Sequence, residues 1–232
     1  ARSAEELKAM QEALQAEFPK LTDFERDFPS LCFALATGVG KTRLMGAFIS
    51  YLHAAYGYKH FFVLAPNLTI YDKLIRDFSD TTGPKYVFKG IADFAVEMPE
   101  VITGETYEQK GDLVSQAQYG DDSAPVQINI FNISKINSEV RGGKAPKIKR
   151  LSEYLGQSYF EYLAGLPDLV LLMDESHRYR AGAGIRALNE LRPLLGLELT
   201  ATPFTEGKGG ANSGPVPFKN VVMEYTLARA IE

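Results

Sequence analysis

Short apolar runs alternate along the chain with stretches that carry apolar residues at helical spacing. The runs at 31–36, 60–65 and 169–173 are nearly continuous, which is typical of strands buried on both faces of a parallel sheet. Strands that alternate with helices predict an α/β fold with a mostly parallel central sheet flanked by helices on both faces. The loops at the carboxyl ends of such strands are the expected place for a functional site.

The remaining elements follow from weaker patterns and from helix-end signals. We expect helices at 3–17, 43–56, 68–78, 151–164 and 185–195. We expect further strands at 85–88, 100–103, 126–131 and 197–199. The polar residues near 104–125 predict a surface excursion, and the basic residues near 141–150 predict a loop.

The amino-acid composition indicates the class of protein but not its function. With 45% hydrophobic and 23% charged residues among 232, the sequence is that of an ordinary globular protein. The single cysteine, Cys32, lies in a predicted buried strand, so we expect no disulfide and no cysteine metal site. No run reaches the roughly 18 apolar residues of a membrane span, so a cytoplasmic protein without a membrane partner is expected. A net charge of −4 gives no overall electrostatic preference for nucleic acid.

A Gly-Lys-Thr sequence follows the first strand and precedes a helical pattern, which is the context of a phosphate-binding loop. Its glycines let successive backbone N–H groups and the positive end of the helix converge on an anion. The lysine adds a charge for the β- and γ-phosphates, and the threonine hydroxyl can ligate Mg²⁺. The predicted nucleotide-binding residues are Thr37, Gly38, Val39, Gly40, Lys41 and Thr42. ATP and Mg²⁺ are therefore the predicted cofactors.

The generic form of this loop has glycine where the chain has Leu35, so a nucleotide-sensing module without hydrolysis is one alternative. A second motif, far along the chain, favours hydrolysis instead. Asp174 and Glu175 end a predicted buried strand. An Asp there can hold Mg²⁺ opposite Thr42, and the adjacent Glu can deprotonate the attacking water.

Four motifs together resemble those of superfamily 2 helicases in order and in spacing. They are Ala-Thr-Gly-Val-Gly-Lys-Thr at 36–42, Ala-Pro-Asn at 65–67, Asp-Glu-Ser-His at 174–177 and Thr-Ala-Thr-Pro at 200–203. The sequences around the last two motifs are similar to those of the restriction subunit of type III restriction-modification systems. The resemblance covers about residues 30–232 and implies the first RecA-like lobe of a DEAD/DEAH-like motor.

The resemblance implies roles for the residues at matching positions. The catalytic set would be Lys41, Asp174, Glu175 and His177. His177 would also couple the nucleotide site to Thr200 and Thr202. The relatives' contacts with the nucleic-acid backbone would fall on Pro66, Asn67, Lys73, Ser134 and Lys135. Asn67 is equally well interpreted as a plain helix cap. The basic loop at 141–150 could bind nucleic-acid phosphates electrostatically, and a solvated loop is the alternative interpretation.

The implied function is that of an ATP-dependent DNA translocase or helicase lobe that hydrolyses Mg-ATP. Double-stranded DNA is the favoured partner over single-stranded DNA, and a modification subunit is a candidate partner. An ATPase of the same superfamily that remodels RNA or nucleoprotein is the other alternative.

The implied domain organisation has three parts. Residues 1–29 would form an N-terminal helix and lead-in, 30–205 the RecA-like lobe, and 206–232 a loop and the start of a linker to a second lobe. That second lobe, absent from this chain, would supply an arginine to the nucleotide. We therefore expect residues 1–232 alone to hydrolyse ATP poorly.

Overall fold

The computed structural model describes residues 3–110, 124–134, 147–149, 157–180, 182–205, 214–226 and 228. Most of the predicted excursion at 104–125 and of the basic loop at 141–150 lies outside these residues. None of the helices within the described ranges is long and apolar enough to cross a membrane.

The strands form a seven-stranded sheet and a separate short hairpin. In chain order they are β1 (Ser30–Leu35), β2 (His60–Ala65), β3 (Glu100–Thr103), β4 (Gln127–Asn132), β5 (Val170–Asp174), β6 (Leu195–Thr200), β7 (Phe204–Thr205), β8 (Val216–Pro217) and β9 (Val221–Tyr225). The order across the sheet is β3-β4-β2-β5-β6-β1-β9, and every pairing recorded in it is parallel. The hairpin pairs β7 with β8. The predicted α/β class with a parallel central sheet is confirmed.

The helices begin and end largely where the sequence signals place them. They are α1 (Ala4–Gln15), α2 (Lys41–Tyr56), α3 (Leu68–Ser79), α4 (Ala92–Val96), α5 (Tyr159–Gly165) and α6 (Gly182–Glu190). Single 3₁₀ turns cover Tyr107–Lys110, Lys147–Lys149 and Ser176–Tyr179. Ser3 and Glu6 form the predicted capping box of α1, and Gly57 ends α2 in the left-handed conformation.

Both faces of the sheet are covered, which explains the continuous apolar runs of the central strands. In β2, Phe61, Val63 and Ala65 face one core, to which α2 and α3 contribute. Phe62 and Leu64 face the opposite core, to which α5 and α6 contribute. All five residues are fully buried, because successive side chains of a strand point to opposite faces and each face meets helices.

Three predicted elements differ in the structure. Of the predicted helix at 151–164, the described part begins at Tyr159, because Ser158 is its N-cap, and residues 151–156 lie outside the described ranges. Residues 85–88 form turns and not a strand, although Tyr86, Val87 and Phe88 are buried in the core on the α2 and α3 side. The predicted helix at 185–195 ends at Glu190, because Arg192 adopts a positive φ of 50° and the chain turns there into β6. A short apolar run therefore indicated burial correctly but not the type of element.

The prediction that residues 206–232 form only a loop and a linker is wrong for β9. This strand pairs in parallel with β1 as the edge of the central sheet. Phe218 and Val221 pack against Cys32 and Ala34 in a small buried cluster. The sheet therefore extends beyond the predicted boundary at residue 205.

Candidate nucleotide-binding site

The loop between β1 and α2 lies at the carboxyl edge of the sheet. Gly38 and Gly40 have φ values of 88° and 95°, in the left-handed region where glycine is the favoured residue. A Cβ atom on Gly38 would meet nothing within 4 Å, so the space beside this residue is open. Lys41 is the first residue of α2, two residues earlier than predicted, so the positive end of the helix faces this loop.

The acid pair lies at the same edge, at the end of β5. Asp174 is the last residue of the strand and is buried, whereas Glu175 is partly exposed. Glu175 adopts a positive φ of 50°, and its backbone N–H donates to Asp174 Oδ1 at 3.1 Å. A non-glycine residue in this conformation costs about 1–3 kcal/mol, and such strain concentrates at functional sites.

The phosphate loop and the acid pair are in direct contact. Lys41 Nζ lies 3.1 Å from Glu175 Oε1, and both side chains are mostly buried. Burial raises the pKa of Asp174 and the Glu175 charge raises it further, whereas Lys41 and Lys73 act in the opposite direction. The site therefore holds acidic side chains whose charged forms need a nearby cation.

A cleft of about 560 Å³ lies between the loop, the acid pair and α3. Its cationic lining residues are Lys41, Arg43, Lys73 and Lys85. A cleft of this size suits a nucleotide, and the concentration of positive charge suits its phosphates.

The donor set also fits Mg²⁺. The Thr42 hydroxyl and the Asp174 carboxylate are hard oxygen ligands, which Mg²⁺ prefers. Mg²⁺ at a nucleotide site is usually held by one or two carboxylates together with water and phosphate oxygens. Within the described ranges, no group of three or more His, Cys, Asp or Glu side chains that could hold a metal ion is found.

Lys73, predicted as a nucleic-acid contact, lies in the cleft instead. Its ammonium donates to Thr42 Oγ1 at 2.8 Å and pairs with Asp77 Oδ2 at 3.1 Å. The reason is geometric: Lys73 and Asp77 are one turn apart on α3, on the side of the helix that lines the cleft. Asp77 was not predicted as a site residue, and the Lys-Asp spacing of four residues was the only signal for it in the sequence.

His177 contacts both of its predicted partners. Its Nδ1 lies 3.0 Å from Thr200 Oγ1 and 3.0 Å from Thr202 Oγ1. Burial lowers the pKa of His177, although Glu175, 3.5 Å away, partly opposes this. A chain of contacts therefore runs from Lys41 through Glu175 and His177 to the end of β6.

Apart from Lys73, the predicted nucleic-acid contacts within the described residues lie in the connections after β2 and β4, of which the second is helical at Ile133 and Ser134. Asn67 caps α3, accepting a hydrogen bond from the Ile70 N–H at 2.9 Å. Ser134 is exposed, and its N–H donates to Asn132 Oδ1 at 2.9 Å. Their loops follow β2 and β4, which are paired neighbours. Pro66 precedes Asn67 in the first loop, and Lys135 lies outside the described residues.

One curated protein with a similar sequence is described as a subunit of a restriction enzyme. A curated protein of Haemophilus influenzae, described as "Probable type III restriction-modification enzyme HindVIP Res subunit", is 26% identical over 217 residues. The match covers 87% of this chain but only 38% of that relative.

A solved structure shares the fold. It is a nuclease-deletion mutant of the type ISP restriction-modification enzyme LlaGI in complex with a DNA substrate mimic. The TM-score is 0.53 at 15% identity, over 100% of this chain and 20% of that one. The fold is thus the RecA-like α/β lobe implied by the motifs.

The model of the family "Type III restriction enzyme, res subunit" matches residues 4–205. The chain belongs to this family.

Proposed function

We propose that this chain is the ATP-binding lobe of an ATP-dependent DNA translocase or helicase motor of a restriction enzyme. The observation that carries the proposal is the 3.1 Å ion pair between Lys41 and Glu175, which joins the phosphate loop to the acid pair. A loop lysine beside a strand-end carboxylate is an arrangement suited to phosphate binding and water activation. The family and the restriction enzymes that resemble this chain support DNA as the substrate.

The phosphate loop and the acid pair have separate tasks in this proposal. The loop N–H groups and Lys41 bind the phosphates, and Thr42 and Asp174 would hold Mg²⁺. Bound Mg²⁺ would neutralise the charge that develops on the phosphates. The phosphates compete with Glu175 for Lys41, because a lysine forms strong charge-assisted hydrogen bonds with either anion. Glu175 is then released to accept the proton of the attacking water.

Contacts with DNA are proposed for the two neighbouring loops after β2 and β4. Pro66, Asn67 and Ser134 lie there, at the sheet edge that also carries the nucleotide cleft. Backbone contacts from such loops would carry no base information, which suits a motor that moves along any sequence. His177 would transmit the state of the nucleotide to Thr200 and Thr202.

The test uses two substitutions in the full-length protein, Lys41→Ala and Glu175→Gln. Lys41→Ala is expected to lose nucleotide binding, since it removes the charge that meets the phosphates. Glu175→Gln is expected to retain binding but to hydrolyse ATP about 10²–10⁴-fold more slowly, the usual contribution of a general base. Binding is measured with a fluorescent ATP analogue, and hydrolysis by phosphate release with and without double-stranded DNA.

A matched control pair is Lys20→Ala and Glu224→Gln, which breaks a solvent-exposed ion pair outside the cleft. Both control variants are expected to keep binding and hydrolysis. Unchanged activity in Lys41→Ala and Glu175→Gln would exclude the motor function. Stimulation by RNA in place of DNA would favour a remodelling ATPase of the same superfamily.

A further inference from the structure

Lys73 occupies an unusual position in the cleft. Its ammonium donates to the hydroxyl of Thr42, the residue that the proposed function assigns to Mg²⁺. It also pairs with Asp77, whose side chain is 5% exposed, and it acts electrostatically on Asp174. One ammonium is thus surrounded by oxygen atoms that would also attract a metal ion.

The Lys73 ammonium and Mg²⁺ would compete for the position beside the Thr42 hydroxyl. Two positive charges about 4 Å apart repel each other by roughly 4 kcal/mol at the effective dielectric constant of 20 typical near a protein surface. The Lys73 side chain is 41% exposed, so its flexible stem can move without disturbing the core. Asp77 lies one helical turn further along α3 and offers the ammonium a place to stay after it leaves Thr42.

We propose that Lys73 is a resident cation of the Mg²⁺ site, which binds the Thr42 hydroxyl in the nucleotide-free state and yields it when Mg-nucleotide binds. This inference rests on the proposed function. Without metal, Lys73 remains beside Thr42 and supplies a positive charge to the phosphates. With metal, Lys73 leaves Thr42 and keeps its ion pair with Asp77. Lys73 is thereby a positioning residue that sets how strongly nucleotide binding depends on Mg²⁺.

The test compares nucleotide affinity with EDTA and with Mg²⁺ in the full-length protein, using a fluorescent, non-hydrolysable ATP analogue. In Lys73→Met, affinity in EDTA is expected to fall roughly tenfold, the size of one lost charge-assisted contact. Affinity in Mg²⁺ is expected to change by no more than about twofold, because Lys73 has already withdrawn. The ratio of the dissociation constant in EDTA to that in Mg²⁺ therefore rises about tenfold.

Asp77→Asn is expected to change the ratio of dissociation constants in the opposite direction. It removes the carboxylate that receives the ammonium, so Lys73 competes more strongly with Mg²⁺. The ratio of dissociation constants is expected to fall by roughly threefold. A loss of folding would not produce opposite shifts in two variants of one ion pair.

Arg76→Met is the matched control, because Arg76 lies on the same helix as Lys73 and is exposed to solvent. It is expected to change the ratio by no more than about twofold. An unchanged ratio in Lys73→Met, an equal change in Arg76→Met or an unchanged or raised ratio in Asp77→Asn would overturn the inference. Failure of the wild type to bind nucleotide in either buffer would instead overturn the proposed function, and this inference with it.

Discussion

At the scale of single residues, His177 links the acid pair to the end of β6. It lies 3.5 Å from Glu175 and 3.0 Å from the hydroxyls of Thr200 and Thr202. We predict that His177→Ala retains nucleotide binding within about twofold but reduces DNA-stimulated hydrolysis about tenfold, the effect of one lost hydrogen-bonded link. Binding of a fluorescent ATP analogue and phosphate release with and without DNA measure the two quantities.

Threonine variants provide the control for this prediction. Thr200→Ser and Thr202→Ser keep the hydroxyls that His177 contacts, so they are expected to retain DNA stimulation. Thr200→Val and Thr202→Val remove the hydroxyls and are expected to act like His177→Ala. The coupling role would be refuted by a His177→Ala protein that hydrolyses ATP as fast as the wild type at saturating DNA.

Residues whose chemistry lies in short contiguous motifs were predictable from sequence. The glycine-rich loop with Lys41, and the Asp-Glu pair that ends an apolar strand, are of this kind. The position of Lys73 and Asp77 in the nucleotide cleft was not predictable, because a Lys and an Asp four residues apart on a helix usually form a solvated ion pair. Only the packing of α3 beside the phosphate loop brings Lys73 to Thr42.

At the scale of elements, a buried network of charges connects segments that are distant in sequence. Glu198 on β6 is fully buried and accepts hydrogen bonds from Ser30 at 2.7 Å and from Arg180 at 2.7 Å. Arg26 lies 3.4 Å from the same carboxylate, and Asn220 donates to it at 3.1 Å. Burial alone would raise the pKa of Glu198, but the two arginines outweigh it, so the pKa is lowered.

We predict that Glu198→Gln destabilises the protein by about 3–5 kcal/mol, since the buried Arg26 loses the carboxylate that it pairs with and Arg180 loses one of its two carboxylate partners. Urea unfolding at neutral pH measures the change. The matched control is Glu224→Gln on β9, which breaks an ion pair with Lys20 that is exposed to solvent. An exposed pair contributes less than about 1 kcal/mol. Equal effects of the two substitutions would show that the network adds no stability of its own.

The network also explains why β9 was not predicted as part of the sheet. A five-residue segment of mixed polarity after a Gly- and Pro-rich stretch of sequence resembles a linker, because its own pattern does not say what it pairs with. Its place is determined by long-range contacts, such as Asn220 with Glu198 and Arg180. The central strands β2 and β5 were easier to predict, since burial on both faces leaves a continuous apolar run in the sequence.

At the scale of the whole molecule, the parallel arrangement places the functional loops at one edge of the sheet. The phosphate loop follows β1, the acid pair ends β5 and the threonines close β6. The proposed DNA-contacting loops follow β2 and β4, and β2 is the direct neighbour of β5. A shift of the acid pair on nucleotide binding would therefore reach the DNA-contacting loops through adjacent strands.

Residues 1–232 produced alone are expected to bind nucleotide but to hydrolyse ATP slowly. Lys41 and Glu175 are 11% and 22% exposed, so water reaches both side chains. The resemblance of the motifs to those of superfamily 2 helicases implies a second lobe that would close over the nucleotide and add an arginine. An arginine of this kind contributes roughly 10³–10⁵-fold to rates in analogous enzymes. We therefore expect residues 1–232 to bind the fluorescent ATP analogue, and Lys41→Ala to abolish that binding. DNA-stimulated phosphate release is expected to be at least about 10³-fold slower than in the full-length protein, and hydrolysis within tenfold of it would show that this lobe is sufficient.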